Sequence, residues 1–267
     1  MRRTAGDPMV KHLLMIAAIA VLSAGLSLTV VSTAESGEPD PTGSAVPTPS
    51  ASPVPTLPDL GAPTFEEDFD TPAAAGGPFA ATYAQSWQPY PDGMGGKYWS
   101  GKIISAHDGS MDVAMDGEHG AAGTFGTPTG AWTHVGGTFS IRARATGGGD
   151  NGLAVMLWPT SDDWSEGELN YPEGNFDGAV HAFHHLMVPG HEQEKVSYTA
   201  DVSWRDWHTY TTQWVPGKYV KYYLDGKLVM SVTHDVPTTP HRYMFQIGNW
   251  GSSGHLMIDW VRTWDRT

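Results

Sequence analysis

The sequence predicts an all-β protein, an antiparallel sandwich of two sheets, on three observations. From Thr64 onward, short runs alternate apolar and polar residues. Gly, Pro and Asp punctuate those runs at short spacing, and no long amphipathic helix lies between them. The chain has 267 residues and no cysteine, so one large β domain fits its length and the core must supply its stability.

Taken in order, Arg2, Arg3 and Lys11 precede an apolar run from Leu13 to Val31, which ends in Ser32-Thr33-Ala34. A basic start, a hydrophobic stretch and small residues at a cleavage point read as an export signal over residues 1–34, cut after about Ala34. A retained membrane anchor is the other reading, because nineteen apolar-leaning residues span a bilayer. Either way the expected location is extracellular, secreted or tethered, with the membrane touched only through this segment. Residues 35–63 hold eight prolines among Ser, Thr, Ala and Gly, a composition that predicts an extended spacer. The domain proper is read as residues 64–267.

That domain keeps 12 basic and 24 acidic side chains, net −12, and all 11 tryptophans. Such a field repels nucleic acid and anionic lipid, so a neutral polymer is the more natural partner. Within it, Phe139, Ile141, Ala143 and Ala145 share one face of a strand, and Ser140, Arg142 and Arg144 share the other. Gly152 to Trp158 is nearly all apolar, as in a strand covered on both sides. Tyr219–Leu224 and Lys227–Val232 flank Asp225-Gly226, the pair that suits a type I′ hairpin turn. Met257 to Trp264 alternates again and closes the chain.

The stretch richest in chemistry runs from Trp158 to Glu173. Glu168 and Asn170 share a strand face, while Glu173, at an odd offset, would face away. One extra residue in the strand, a β-bulge, returns Glu173 to that face, and Pro172 belongs at a bulge or an edge. Two carboxyls converging on one face suit glycoside hydrolysis, in which one group protonates the leaving oxygen and the other attacks the sugar carbon or activates water. The alternative is a solvated acidic turn, since Asp162, Asp163 and Glu166 are also nearby; the flanking indoles of Trp158 and Trp164 argue against it.

Gly167-Glu168-Leu169-Asn170-Tyr171-Pro172-Glu173 resembles the signature of glycoside hydrolase family 16, Gly-Glu-(aliphatic)-Asp-(aliphatic)-(any)-Glu. Further segments are similar to that family in the same order. They are Glu67-Asp68-Phe69, the strand Gly137 to Arg144, the run from Trp207-His208-Thr209-Tyr210 to Asp225-Gly226, and Ile258 to Arg262. The resemblance implies a concanavalin-like β-jelly roll with a substrate groove across its concave sheet. It implies Glu168 as nucleophile, Glu173 as acid/base and position 170 as the assisting residue. Asn170 departs from the family's Asp: an amide can donate to Glu168 but removes a negative charge, which favours ionised Glu168 and helps less to keep Glu173 protonated.

Around these, His185 is expected beside the acid/base, where it orients Glu173 or binds sugar hydroxyls. Trp158, Trp164 and Trp250 are candidate sugar platforms, because a flat indole matches the C–H face of a pyranose. Arg142 is placed toward the groove by the resemblance, with an exposed ion pair as its other reading. A metal site is not expected: His181, His184, His185 and His191 are close in sequence, but there is no Cys and no helical His-Glu-x-x-His. No cofactor is expected, although the resemblance allows a structural calcium ion on the convex side. No Gly-x-Ser-x-Gly elbow or phosphate-binding loop occurs in a fitting context. The expectation is a monomeric endo-acting glycosidase on β-linked polysaccharide, β-glucan first. A surface polysaccharide-binding module with weak or no catalysis is the second reading.

Overall fold

The structure, a computed structural model, describes residues 55–248 and 251–266. The export or anchor segment, the spacer as far as residue 54, and Trp250 lie outside the described residues. Among the described residues, fifteen strands run in order. They are β1 (Phe65–Glu67), β2 (Trp87–Pro89), β3 (Ile104–His107), β4 (Ser110–Met115), β5 (Ala121–Phe125), β6 (Gly137–Gly147), β7 (Gly152–Pro159) and β8 (Leu169–Asn175). There follow β9 (Val180–His185), β10 (Lys195–Ala200), β11 (His208–Val215), β12 (Tyr219–Leu224), β13 (Lys227–Val232), β14 (His241–Ile247) and β15 (Gly254–Asp265). Two helices, Gly77–Thr82 and Ser100–Ile103, are too short to form a layer.

One sheet has the order β13-β12-β11-β6-β15-β4-β3, with β1 paired to β15; the other has the order β10-β9-β8-β7-β14-β5-β2. Neighbouring strands are antiparallel, which the hairpin-length connections require for pairs such as β8–β9 and β11–β12 and which the distant pair β7–β14 shares. The β12–β13 turn has Asp225 at φ 47° and Gly226 at φ 77°, both in the left-handed region a type I′ turn needs.

Alternation along the strands builds the core between the sheets. Phe139 and Ile141 of β6 meet Leu153, Val155 and Leu157 of β7 there, all buried. The other parity of β7, Ala154, Met156 and Trp158, packs with Tyr90, Tyr98 and Met244 on the far side of the seven-stranded sheet. This explains the unbroken apolar run of β7: it has core on one side and an aromatic floor on the other.

The predicted spacer ends earlier than residue 63. Leu228 N–H donates to Pro55 O at 2.9 Å, Leu57 N–H to Gly226 O at 2.7 Å, and the Trp264 indole to Gly61 O at 2.9 Å. β13 and β15 are four strands apart in their sheet, so residues 55–61 form a strap across that sheet. Backbone pairing with the β12–β13 turn satisfies groups that composition alone assigned to solvent.

Candidate active site

β8 places the two glutamates. Between β7 and β8 the register passes from Ala154↔Glu173 to Met156↔Asn170, so two residues, Tyr171 and Pro172, oppose the single Val155. This is the bulge anticipated from parity and proline. Pro172, preceded by a cis peptide bond, sits inside a central strand only because the bulge frees it from the ladder. Leu169 and Tyr171 enter the core, and Glu168, Asn170 and Glu173 share the free face of the seven-stranded sheet. Gly167 leads in at φ 110°, where a Cβ would come within 2.6 Å of Pro237 Cγ, so only glycine fits.

The three polar side chains form one unit. Asn170 Nδ2 donates to Glu168 Oε1 and to Glu173 Oε2, each at 2.7 Å, using both its N–H bonds. Two such bonds from one nitrogen hold the accepting oxygens no more than about 5.4 Å apart. Glu168 and Asn170 are each 1% exposed and Glu173 is 6% exposed. Burial pushes Glu168 up to about 7; the amide of Asn170, the Trp164 indole and the charge of Lys195 pull the other way. Burial and then the charge of Glu168 push Glu173 up, also to about 7, against Asn170, His185 and Lys195. The sequence favours a readily ionised Glu168. The amide does donate to it, but desolvation outweighs that bond.

Trp158 and Trp164 lie at this unit. Trp164 opens a single 3-10 turn, Trp164–Glu166, capped by Asp163, which accepts from Ser165 N–H at 3.0 Å. Its ring is 6.5 Å from that of Trp158 and 5.7 Å from that of His185. His185 lies where expected, close enough to Glu173 for the two to feel each other's charge, and its Nε2 is also 4.0 Å from Glu168 Oε2, so it faces both glutamates. The cross-strand partner of Glu173 is His181, whose ring stacks on Phe183 at 5.1 Å. His185 Nδ1 is 2.7 Å from Glu192 O and donates to it, which leaves Nε2 as a bare acceptor; burial holds the imidazole below its ordinary pKa.

Arg142 corrects an expectation. It lies on β6, in the eight-stranded sheet, on the face away from the core; it pairs with Asp259 and sits 4.8 Å from the Trp207 ring centre. Alternation identified its polar face correctly, but that face belongs to the sheet opposite the glutamates.

Residues that the sequence does not single out complete the floor. Tyr90 and Tyr98 pack beside Trp158, and Arg242, on β14 opposite Trp158, is 2% exposed. Tyr98 OH donates to Gln246 Oε1 at 2.8 Å. The available signal was the alternation of Arg242, Met244 and Gln246 against Tyr243, Phe245 and Ile247. Among the described residues no group of three or more His, Asp or Glu side chains is arranged to hold a metal ion. His184 is turned into the core, with Nε2 at 2.9 Å from Asp235 O, away from His181 and His185.

Known proteins resemble this chain in sequence and in fold. The profile of the glycosyl hydrolases family 16 matches residues 96–262. A beta-glucanase of Paenibacillus macerans is 36% identical over 78 residues, 29% of this chain and 30% of that protein. A beta-glucanase of Acetivibrio thermocellus is 23% identical over 175 residues, 62% of this chain and 49% of that protein. The chain thus spans half or less of the length of these relatives. The laminarinase of Rhodothermus marinus superposes with a TM-score of 0.59 at 20% identity, over 76% of this chain and 96% of that one, and so shares the fold. With the family profile covering well over half of its residues, the chain belongs to family 16 of the glycosyl hydrolases.

Proposed function

We propose that the chain is an endo-acting β-glucan hydrolase that retains anomeric configuration. The observation that carries this reading is the single amide bonded to both carboxylates. Retaining enzymes hold their two carboxyls about 5 to 5.5 Å apart and inverting enzymes about 6.5 to 9.5 Å, and the Asn170 bridge sets a limit within the first range. Glu168, ionised, attacks the anomeric carbon. Glu173, protonated, gives its proton to the departing oxygen, and as the carboxylate it then deprotonates the water that releases the sugar. Each role asks for a different protonation state near neutrality. The Glu168 charge helps here, since it keeps the proton on Glu173.

β-Glucan as substrate follows from the named glucanases and laminarinase. The indoles of Trp158 and Trp164 offer apolar faces to sugar rings, and His185 Nε2 offers an acceptor to a hydroxyl. The apolar N-terminal run supports export, and nothing in the chemistry needs a second subunit, so an extracellular monomer completes the reading. The test is reducing-sugar release from β-1,3-, mixed-linkage and β-1,4-glucans by the purified chain, with the anomer of the new reducing end followed by proton NMR. Early appearance of the β-anomer from one glucan is expected. Early α-anomer would make the mechanism inverting, and binding without release would make the protein a lectin-like module.

Asn170 gives a pH prediction. Its N–H bonds lower both carboxyls, so Asn170→Asp removes two donors and adds a negative charge beside each. Both carboxyls then rise further. The acid limb, which reports Glu168 ionising, and the alkaline limb, which reports Glu173 losing its proton, should each move to a pH roughly tenfold less acidic. A kcat/KM profile that stays in place, or moves down, would contradict the bridging role.

A further inference from the structure

Within the aromatic floor, beside Trp158, is a charged network that the two-glutamate chemistry does not use. Arg242 Nη2 donates to Asp162 Oδ1 at 2.6 Å and to the Tyr90 hydroxyl at 3.1 Å, and Nη1 donates to Pro159 O at 3.3 Å. The guanidinium carbon lies 4.8 Å from the Trp132 ring centre, and Nε has no partner among the described residues. Asp162 Oδ1 also accepts the Trp158 indole N–H at 2.9 Å. Asp162 itself adopts φ 62°, a left-handed conformation for which a short polar side chain is suited. Immediately after it, Asp163 caps the turn that carries Trp164.

A buried guanidinium is costly unless its partners are fixed, so it in turn fixes them. Here the partners are the end of β7 and the bend that follows, the segment between the two indoles. Removing the guanidinium frees that bend and breaks neither of the bonds by which Asn170 joins Glu168 and Glu173 on another strand.

We infer that Arg242 is a positioning residue: through Asp162 and Pro159 it holds the bend that sets Trp158 and Trp164 against each other, and it thereby governs how tightly the groove binds sugar. This rests on the reading of the face as a glucan groove. It predicts a larger change in substrate affinity than in the chemical step, because neither Arg242 nor Asp162 bonds the glutamates or their amide bridge, and the Trp164 indole beside Glu168 is the link between the two.

The test compares the parent chain with Arg242→Met, Asp162→Asn and the double variant Arg242→Met/Asp162→Asn. Arg242→Met alone leaves a carboxylate without its cation and should lose stability. The double variant removes both charges, keeps an acceptor for the Trp158 indole and should regain most of the melting temperature. In that double variant KM for a glucan oligosaccharide should still rise about tenfold, with kcat within about threefold. The exciton couplet of the indole pair in circular dichroism, assigned with Trp164→Phe, should weaken without any substrate present. A stable double variant with parental KM and an unchanged couplet would overturn the inference and leave a structural ion pair only. The couplet separates the two readings: if the parent neither binds nor cleaves any glucan, the proposed function fails, and the couplet still decides the role of Arg242.

Discussion

Glu168→Gln is expected to reduce glucan hydrolysis by at least about 10⁴-fold while making the protein more stable at pH 8. The first effect follows from the proposed mechanism: an amide cannot form the glycosyl ester, and the remaining groups cannot replace a positioned nucleophile. The second follows from burial. Desolvation pushes Glu168 from 4.5 to about 7, and a tenfold change in a proton-binding constant is worth about 1.4 kcal/mol. A carboxyl whose folded pKa lies above its unfolded value favours folding below the unfolded value, and that contribution is lost as pH rises through the folded one. Against a neutral amide, the parent should therefore be weaker by on the order of 2–3 kcal/mol at pH 8 and equal near pH 4. Urea titrations at the two pH values check this. A variant that is inactive and equally destabilised at both would mean that glutamine disturbs the packing, so its inactivity would say nothing about a nucleophile. A variant that hydrolyses glucan at the parental rate removes Glu168 from the mechanism.

Glu173→Ala is expected to separate substrates by leaving group. A glucan leaves as a sugar alkoxide and needs a proton, so its hydrolysis should fall by roughly 10³-fold or more. An aryl β-glycoside with an acidic phenol leaves unaided, so its first step should fall far less, and the glycosyl ester on Glu168 should accumulate as a burst of phenol. The second step then lacks its base. Azide, which needs none, fits the space left by the carboxylate and should restore turnover, giving the β-glycosyl azide as product. Equal loss on both substrates, or an α-azide, would show that Glu173 does not act as the proton donor. On the proposed mechanism the same logic suits Glu173 to its place next to Glu168, whose charge helps to keep it protonated until the bond breaks.

Much of this site is legible in the sequence because it is local. The parity of Glu168, Asn170 and Glu173 and the proline at 172 together require a bulge, and the bulge is there. The hairpin at Asp225-Gly226 and the two-sided burial of β7 are read from a few adjacent residues each. What failed depends on distant pairing. Strand alternation tells which side of β6 carries Arg142, but only the register with β11 and β15 tells which sheet β6 joins. Proline content makes residues 55–63 look solvated, yet the nearby turn and the Trp264 indole satisfy backbone groups of that segment. Arg242 carries no local signal of its role, because its partner, Asp162, stands 80 positions earlier in the chain.

The strap at Pro55–Gly61 also fixes how the molecule is presented. It lies on the sheet opposite the glutamates, and Asp265 returns to the same side, where its N–H meets Thr64 Oγ1 at 3.0 Å. Whatever body is joined to the domain at either end is therefore held behind it, and the face that carries the glutamates looks outward. A fusion partner or a solid support attached through these ends leaves a long polymer free to lie across the face, with its own two ends extending past the protein on both flanks.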